Sequence, residues 1–217
     1  MSIKLHLLNA GGKLSPWSGR LEPAFAKSVG SIVALLAVDN VDIVVRAGHR
    51  VMPETGIGGY SPSADVVYIT LDPEHPRLST SFEREFLVTL GHELHHCARH
   101  SGPGYGRTLG EALITEGLAC NFEAELPGGA APFYARAVEG ASLESIAERA
   151  KPELQHSPYA HRAWFFGSEI ENLPRHAGYS LGFSIVAGYI SRHATPASRL
   201  WDVPAEKILA EAFPIEI

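Results

Sequence analysis

A chain of 217 residues with 45% hydrophobic and 19% charged residues has the composition of an ordinary soluble globular protein. Its formal net charge of −6, without a long basic run, argues against binding to nucleic acid or to an anionic membrane. The sequence has no run of about 18 apolar residues, so we expect no transmembrane helix. Because it has only two cysteines and no recognisable secretory signal, we expect a reduced, cytoplasmic protein.

The first 72 residues are predicted to form a small sheet with one helix packed on it. Alternating or β-branched runs predict strands at 2–9, 41–48 and 66–72, and helical spacing of apolar residues predicts a helix at 21–38. Glycine and proline predict a loop over residues 52–65. We expect the strand that begins at residue 66, directly after this loop, to lie near an edge of the sheet.

From Ser79 onward the chain is predicted to be mainly helical. A first helix reaches His100 and has cap-forming residues at its start. Thr108 followed by Glu111 is a capping-box pattern that begins a second helix, which Pro127 ends. Further helices are predicted at 142–151, 179–193 and 205–213, with an irregular, aromatic-rich stretch at 155–178 that places His156 and His161 in a surface loop. These elements predict one α+β domain with an N-terminal lobe of about residues 1–100 and a helical C-terminal lobe of about residues 101–217.

The strongest chemical signal is the pentapeptide His92-Glu93-Leu94-His95-His96 within the first of these helices. On a helix, His92 and His96 are four residues apart, so both imidazoles project from one face and can bind one metal ion. In zinc hydrolases with this pattern, the glutamate after the first histidine reaches a water molecule at the metal, the place predicted here for Glu93. The alternative is a helix with solvated histidines, and a third ligand is needed to decide.

Several residues are candidates for a third ligand. A metzincin would have histidine at position 102, where this chain has Gly102, so that class is excluded. His100 lies one turn beyond His96, but a histidine there is also typical of a helix end. The second helix offers Glu116 and Glu123, seven residues apart on one face, and their spacing does not distinguish between them.

The motifs together resemble a known class of enzyme. His92–His96 followed by Glu116-Gly117-Leu118-Ala119 resembles the gluzincins, and the order HELHH, EGLA and GYSLGF resembles a bacterial family described as zinc-dependent proteases. The resemblance covers about residues 50–195. It implies a zincin-like fold, in which a small twisted sheet lies over the metal-binding helix. It also implies one zinc ion per chain, bound by His92, His96 and Glu116, with Glu116 favoured over Glu123.

The chain departs from the gluzincin pattern in two ways. Thermolysin-like enzymes have an aspartate that braces a zinc histidine at the position of Cys120, so we expect support from Asn121 or Glu123 instead, and a small buried residue at Cys120. The aminopeptidase signature that binds a substrate's free amine is absent near residues 56–60, so exopeptidase activity is not implied.

Amide hydrolysis also needs a donor that stabilises the oxyanion. The segment RHAGYSLGF offers His176 and Tyr179. Tyr179 follows Glu116 by 63 residues, which is similar to the spacing of the catalytic tyrosine in aminopeptidase-like gluzincins. We expect Tyr179 to be this donor, with His176 as the second candidate.

A competing motif lies in the same segment. Residues 178–182 satisfy the G-x-S-x-G pattern of the α/β-hydrolase nucleophile elbow, which must follow a buried strand. The preceding segment is polar and contains proline, and His193 and then Asp202 follow Ser180 in the wrong order for that triad. We therefore expect Ser180 to be an ordinary helix residue.

The sequence thus predicts a zinc metallopeptidase that uses Glu93 as general base and acts on a peptide or protein substrate. An extended peptide could add to a sheet edge in the region GIGGYSPSADVVYI. Two alternatives remain open: a non-catalytic metal-binding protein, and a zinc hydrolase of a non-peptide substrate. The oligomeric state does not follow from the sequence.

Overall fold

A computed structural model describes residues 2–213 and shows an α+β protein. Over these residues it has one four-stranded sheet and seven α-helices. The chain divides into two compact units, Met1–Ser101 and Gly102–Ile217. All four strands belong to the first unit, and the second unit is helical. The predicted fold class, α+β, is therefore confirmed.

The sheet of the first unit has the strand order β1-β2-β4-β3 and mixed direction. Strand β2 pairs in parallel with β1 and with β4, and β3 pairs antiparallel to β4. The four strands are β1 (Ile3–Leu8), β2 (Val41–Ala47), β3 (Ile57–Ser63) and β4 (Val66–Leu71). The strand predicted at residue 66 is therefore internal, and β3 is one of the two edge strands, with β1 at the other edge.

The presence of β3 corrects the prediction of a loop over residues 52–65. The glycines and the proline that suggested a loop are compatible with an edge strand, where only one side of the backbone needs a ladder partner. Pro62 lies at the irregularity in the pairing between Tyr60 and Ser63. A Cβ on Gly58 would lie 2.9 Å from the carbonyl oxygen of Arg50, so a close backbone approach requires glycine there.

Two helices pack in the first unit, α1 (Ser18–Val33) and α2 (Leu78–His100). Helix α1 contacts α2 and β1, and α2 contacts β3 and β4. Alternation along β2 buries its apolar face, and the core also includes side chains of β4, α1 and α2: Val41, Ile43, Val45, Val67, Ile69, Leu21, Ile32, Phe82, Phe86, Leu90 and Leu94. Burial of one such side chain contributes about 1.5–3 kcal/mol. Four of them belong to α2, so the packing of this helix in the core is strongly favoured.

The start of α2 differs from the expected side-chain cap. Arg77 is the residue before the helix, and no side chain caps it. The hydroxyls of Thr80 and Ser81 instead donate to the carbonyl of Arg77 at 3.0 Å. The helix is held to α1 by a bidentate ion pair in which Arg20 donates to Glu83 at 2.8 and 2.7 Å.

The second unit contains α3 (Leu109–Glu125), α4 (Gly140–Ala150), α5 (His161–Phe166), α6 (Ala177–His193) and α7 (Ala205–Ala212). The predicted capping box is confirmed, because Thr108 Oγ1 accepts from the amide of Glu111 and the Glu111 carboxylate accepts from the amide of Thr108. Helix α5 corrects the prediction of an irregular stretch over residues 155–178.

Helices α3 and α6 cross at two glycines. A Cβ on Gly117 would lie under 3.0 Å from the carbonyl oxygen of Gly182, and a Cβ on Gly182 equally close to that of Leu113. The two backbones therefore approach as closely as only glycine allows. Between residues 2 and 213, no helix combines the length and the apolar character that crossing a membrane requires.

Candidate metal centre

Helix α2 places the two histidines of the motif side by side. The rings of His92 and His96 are 4.6 Å apart between centroids, with an interplanar angle of 89°. Each offers a ring nitrogen, and these nitrogens lie within 4.8 Å of each other. Both side chains are buried, with 8% and 6% of their surface exposed. The spacing of the motif thus gives a pair of imidazoles that can share one ion.

Strand β3 fixes the carboxylate of Glu93. The hydroxyl of Ser61 lies 2.8 Å from Glu93 Oε2 and 2.9 Å from its backbone carbonyl oxygen. Gly59, two residues earlier, faces the same side chain, and a Cβ there would lie under 3.0 Å from Glu93 Oε1. The edge strand therefore holds the predicted general base in one position, and Gly59 leaves the space that this position needs.

Near the end of α2, His100 and Cys97 also contact the sheet. Nε2 of His100 lies 3.2 Å from the carbonyl oxygen of Ser61, and burial lowers the pKa of His100. Burial also raises the pKa of the Cys97 thiol to about 12, so this thiol is neutral at physiological pH. Cys120, on α3, is fully buried, as expected for a small core residue.

Glu116 lies on α3 with only 5% of its surface exposed. The hydroxyl of Tyr105 donates to Glu116 Oε1 at 2.5 Å. Thr115 Oγ1 in turn donates to the backbone carbonyl of Tyr105 at 2.9 Å. Burial, followed by the negative charge of Glu116, raises the pKa of Tyr105 well above its ordinary value, so the phenol keeps its proton and acts as a donor.

The alternative carboxylate, Glu123, has a similar environment two turns further along α3. The hydroxyl of Tyr134 donates to Glu123 Oε1, and Cys120 Sγ lies within 4.8 Å of a Glu123 carboxylate oxygen. Asn121 donates to the carbonyl oxygens of Gly117 at 2.8 Å and Phe183 at 3.1 Å. The amide of Asn121 therefore ties α3 to α6.

The two predicted oxyanion donors lie together at the start of α6. His176 is buried and has a left-handed backbone, with φ at 68°. The ring centroids of His176 and Tyr179 are 5.8 Å apart, and Tyr179 packs against Tyr134 at 4.9 Å and Phe165 at 5.0 Å.

His161 does not lie in the surface loop predicted from the sequence. It begins α5, its ring is 4.7 Å from that of Phe165, and its Nδ1 is hydrogen-bonded to Tyr159 Oη at 2.8 Å. Burial lowers the pKa of His161, and the charge of Glu116 opposes this effect. The second unit thus places Tyr105 against Glu116, a contact that the sequence did not identify.

The expectation that Ser180 is an ordinary helix residue is confirmed. It lies inside α6 rather than on a strand-to-helix turn, and only 1% of its surface is exposed. Its hydroxyl donates to the carbonyl of Tyr134 at 3.2 Å and accepts from the amide of Val138 at 3.1 Å. The structure therefore agrees with the rejection of a serine hydrolase.

The fold and the motif helix define an α+β protein with a two-histidine, one-glutamate motif. A family model described as "Predicted Zn-dependent protease (DUF2268)" matches residues 25–210, and the chain belongs to this family. Searches of curated proteins and of solved structures gave no significant match. The matched range includes the histidines of α2, Glu116 and the start of α6, so the family covers every predicted site residue.

Proposed function

We propose that this protein is a zinc-dependent metallopeptidase in which His92, His96 and Glu116 bind one zinc ion. The observation that carries the proposal is the arrangement on α2, where two buried imidazoles share a face and the carboxylate of Glu93 is held by β3. Membership of a family of predicted zinc-dependent proteases supports it. Catalytic zinc sites commonly have three protein ligands, which leaves a position for water.

The chemistry of the donor set fits zinc. Two imidazole nitrogens and one carboxylate oxygen form a donor set that catalytic zinc sites are known to use. Burying an ionised carboxylate costs free energy unless it is paired and hydrogen-bonded. Glu116 accepts from Tyr105, and a bound cation would stabilise its negative charge further.

The residues of this chain have distinct roles in the proposed reaction. When bound, zinc acts as a Lewis acid that polarises the scissile carbonyl and lowers the pKa of water toward neutrality. The Glu93 carboxylate takes a proton from the attacking water and passes it to the leaving amine. Tyr179, with His176 as the second candidate, donates a hydrogen bond to the oxygen of the former carbonyl, on which negative charge develops.

A peptide or protein is the proposed substrate. Strand β3 is the edge strand beside Glu93, and its outer side can pair with an extended peptide by strand addition. Backbone pairing of this kind is independent of side-chain sequence, so the proposal is tested with a library of peptides rather than one substrate. Turnover confined to a non-peptide ester or amide would contradict it.

The metal ligands are tested by elemental analysis of the purified protein and two matched variants. We expect about one zinc per chain in the wild type, as in three-ligand catalytic sites, and a sharp loss in Glu116→Gln. Glu123→Gln tests the alternative carboxylate, since Glu123 lies on the same helix and also accepts from a tyrosine. Retention of zinc in Glu116→Gln with loss in Glu123→Gln would assign the third ligand to Glu123.

The role of Glu93 is tested separately with Glu93→Gln. This variant keeps the size of the side chain and a hydrogen-bond acceptor for Ser61, so we expect a normal zinc content. We expect hydrolysis of the peptide library to be abolished, because the amide cannot accept the proton. Full activity in Glu93→Gln would refute the mechanism, and zinc binding without any hydrolysis by the wild type would indicate a non-catalytic metal-binding protein.

A further inference from the structure

Helix α3 carries two buried carboxylates, each of which accepts a hydrogen bond from a tyrosine hydroxyl. Glu116 accepts from Tyr105, and Glu123 accepts from Tyr134. Their separation of seven residues places them on one face of the helix. The two tyrosine–glutamate pairs can therefore be compared with each other, because only the pair of Tyr105 and Glu116 contains a proposed zinc ligand.

The loop before α3 has a backbone that positions Tyr105. Gly104 and Gly106, on either side of it, have φ values of +85° and +99°, a conformation that other residues rarely adopt. A Cβ on Gly106 would lie under 3.0 Å from Cβ of Glu111, so this turn of the chain packs directly on the helix. The loop is thus shaped to bring one side chain back to α3.

Hydrogen bonds from α3 hold the same loop in place. The Glu111 carboxylate accepts from the backbone amides of Arg107 at 2.7 Å and Thr108 at 2.9 Å. Thr115, immediately before Glu116, donates to the carbonyl of Tyr105. The backbone of Tyr105 is therefore fixed to the helix one residue away from the carboxylate that its hydroxyl contacts.

We propose that Tyr105 is a positioning residue that orients the Glu116 carboxylate for metal binding. The inference rests on the proposed function, because it takes Glu116 as a zinc ligand. A carboxylate has two oxygens with about four lone-pair sites, so it can accept from a phenol and bind an ion at the same time. Hydrogen bonds to metal-binding side chains fix their orientation, and their loss typically weakens metal binding by about 10- to 100-fold.

The test compares the zinc dissociation constants of Tyr105→Phe and Tyr134→Phe, measured by competition with a chromophoric chelator. Each variant loses one hydroxyl that donates to a carboxylate on α3. We expect Tyr105→Phe to bind zinc about 10- to 100-fold more weakly and Tyr134→Phe to bind it like the wild type. Thermal unfolding of both metal-free variants controls for the loss of a hydrogen bond from the fold.

The visible spectrum of the cobalt(II)-substituted protein gives a second readout. Its bands depend on the geometry of the ligands, which a purely structural role of Tyr105 in the loop would not alter. We expect altered band positions or intensities in Tyr105→Phe and an unchanged spectrum in Tyr134→Phe. Wild-type zinc affinity and an unchanged cobalt spectrum in Tyr105→Phe would overturn the inference.

Failure of the inference and failure of the proposed function give different results. If Glu116→Gln loses zinc but Tyr105→Phe does not, Glu116 is a ligand that needs no positioning by Tyr105, and the inference alone fails. If Glu116→Gln keeps its zinc, the ligand assignment fails and the inference fails with it. If Tyr105→Phe does not fold, Thr115→Val is the second variant, because it removes the hydrogen bond to the backbone carbonyl of Tyr105. We expect Thr115→Val to weaken zinc binding as well, and wild-type affinity in this variant would overturn the inference.

Discussion

The hydroxyl of Ser61 lies 2.8 Å from the carboxylate of Glu93, and Gly59 on the same strand faces that carboxylate from its backbone. The carboxylate of Glu93, the proposed general base, is therefore positioned by an edge strand and not by the motif helix alone. Gly59 and Ser61 are two residues apart on β3, so both face Glu93 from the same side of the strand. Because β3 contacts Glu93, a substitution in β3 can test the proposed catalytic role of Glu93 separately from metal binding by His92 and His96.

Gly59→Ala should impair catalysis without removing the metal. The added methyl group would overlap the Glu93 carboxylate, which must then move. A displacement of about 1 Å can reduce the rate about 100-fold, so we expect a loss of this order in kcat. Zinc content and circular dichroism should match the wild type. Gly11→Ala is the control, because a Cβ there meets nothing within 4 Å; unchanged kcat in Gly59→Ala would show that Glu93 tolerates displacement.

Glu83→Gln should lower stability at neutral pH but not in acid. The hydrogen bond from Arg20 lowers the pKa of Glu83 in the folded state from the ordinary value of 4.5. Because the pKa of this carboxyl is lower in the folded state than in the unfolded state, its ionisation stabilises the fold at pH values above the unfolded-state pKa. This contribution is lost as the pH falls through the folded-state pKa.

Both partners of this pair are substantially exposed, so the expected loss at pH 7 is only about 0.5 kcal/mol in the free energy of unfolding. Urea unfolding at pH 7 and at the lowest pH at which the protein remains folded measures the difference. Glu22→Gln, at an exposed position on α1, is the control. An equal loss at both pH values would show that packing of the Glu83 side chain, rather than its charge, is responsible.

The thiol of Cys97 should be inert in the native protein. It is fully buried and its pKa is raised to about 12, so the reactive thiolate is scarce at pH 8. Cys120 is also fully buried. We expect no reaction with a thiol-specific disulfide reagent before unfolding and reaction of both cysteines afterwards. Rapid native labelling would mean that the region around α2 opens on the time scale of the assay.

The sequence predicted most of the fold because most elements have a clear periodicity. Apolar and β-branched spacing gave strands β1, β2 and β4, and the capping box gave the start of α3. Strand β3 was missed, since glycine and proline indicate a loop wherever tertiary packing is unknown. The glycines and the proline of β3 are explained by tertiary packing, such as the contact of Gly59 with Glu93 and the pairing of β3 with β4.

The candidate site was predictable to a different extent. The i, i+4 geometry of a helix is sufficient to bring His92 and His96 together. Tyr105 and Ser61 could not be found in this way, because each reaches its carboxylate through a turn or a strand pairing rather than through helical spacing. The two glycines around Tyr105 were the only local signal, and they predict a turn without indicating what the turn carries.

Gly182→Ala should destabilise the second unit and weaken zinc binding together. An added methyl group would overlap the carbonyl of Leu113 on α3, and the two helices would have to separate. Overpacking of this kind typically costs about 1–3 kcal/mol, and we expect a corresponding loss in the free energy of unfolding.

Gly188→Ala, two turns further along α6, is the matched control for this prediction. A Cβ there meets only the end of the flexible Arg192 side chain, at 3.4 Å. Because alanine favours a helix over glycine by about 1 kcal/mol, Gly188→Ala should be neutral or stabilising and should bind zinc normally. Since Glu116 lies on the helix that Gly182 contacts, a destabilised Gly182→Ala with wild-type zinc affinity would show that the α3–α6 crossing supports the fold without positioning the proposed ligand.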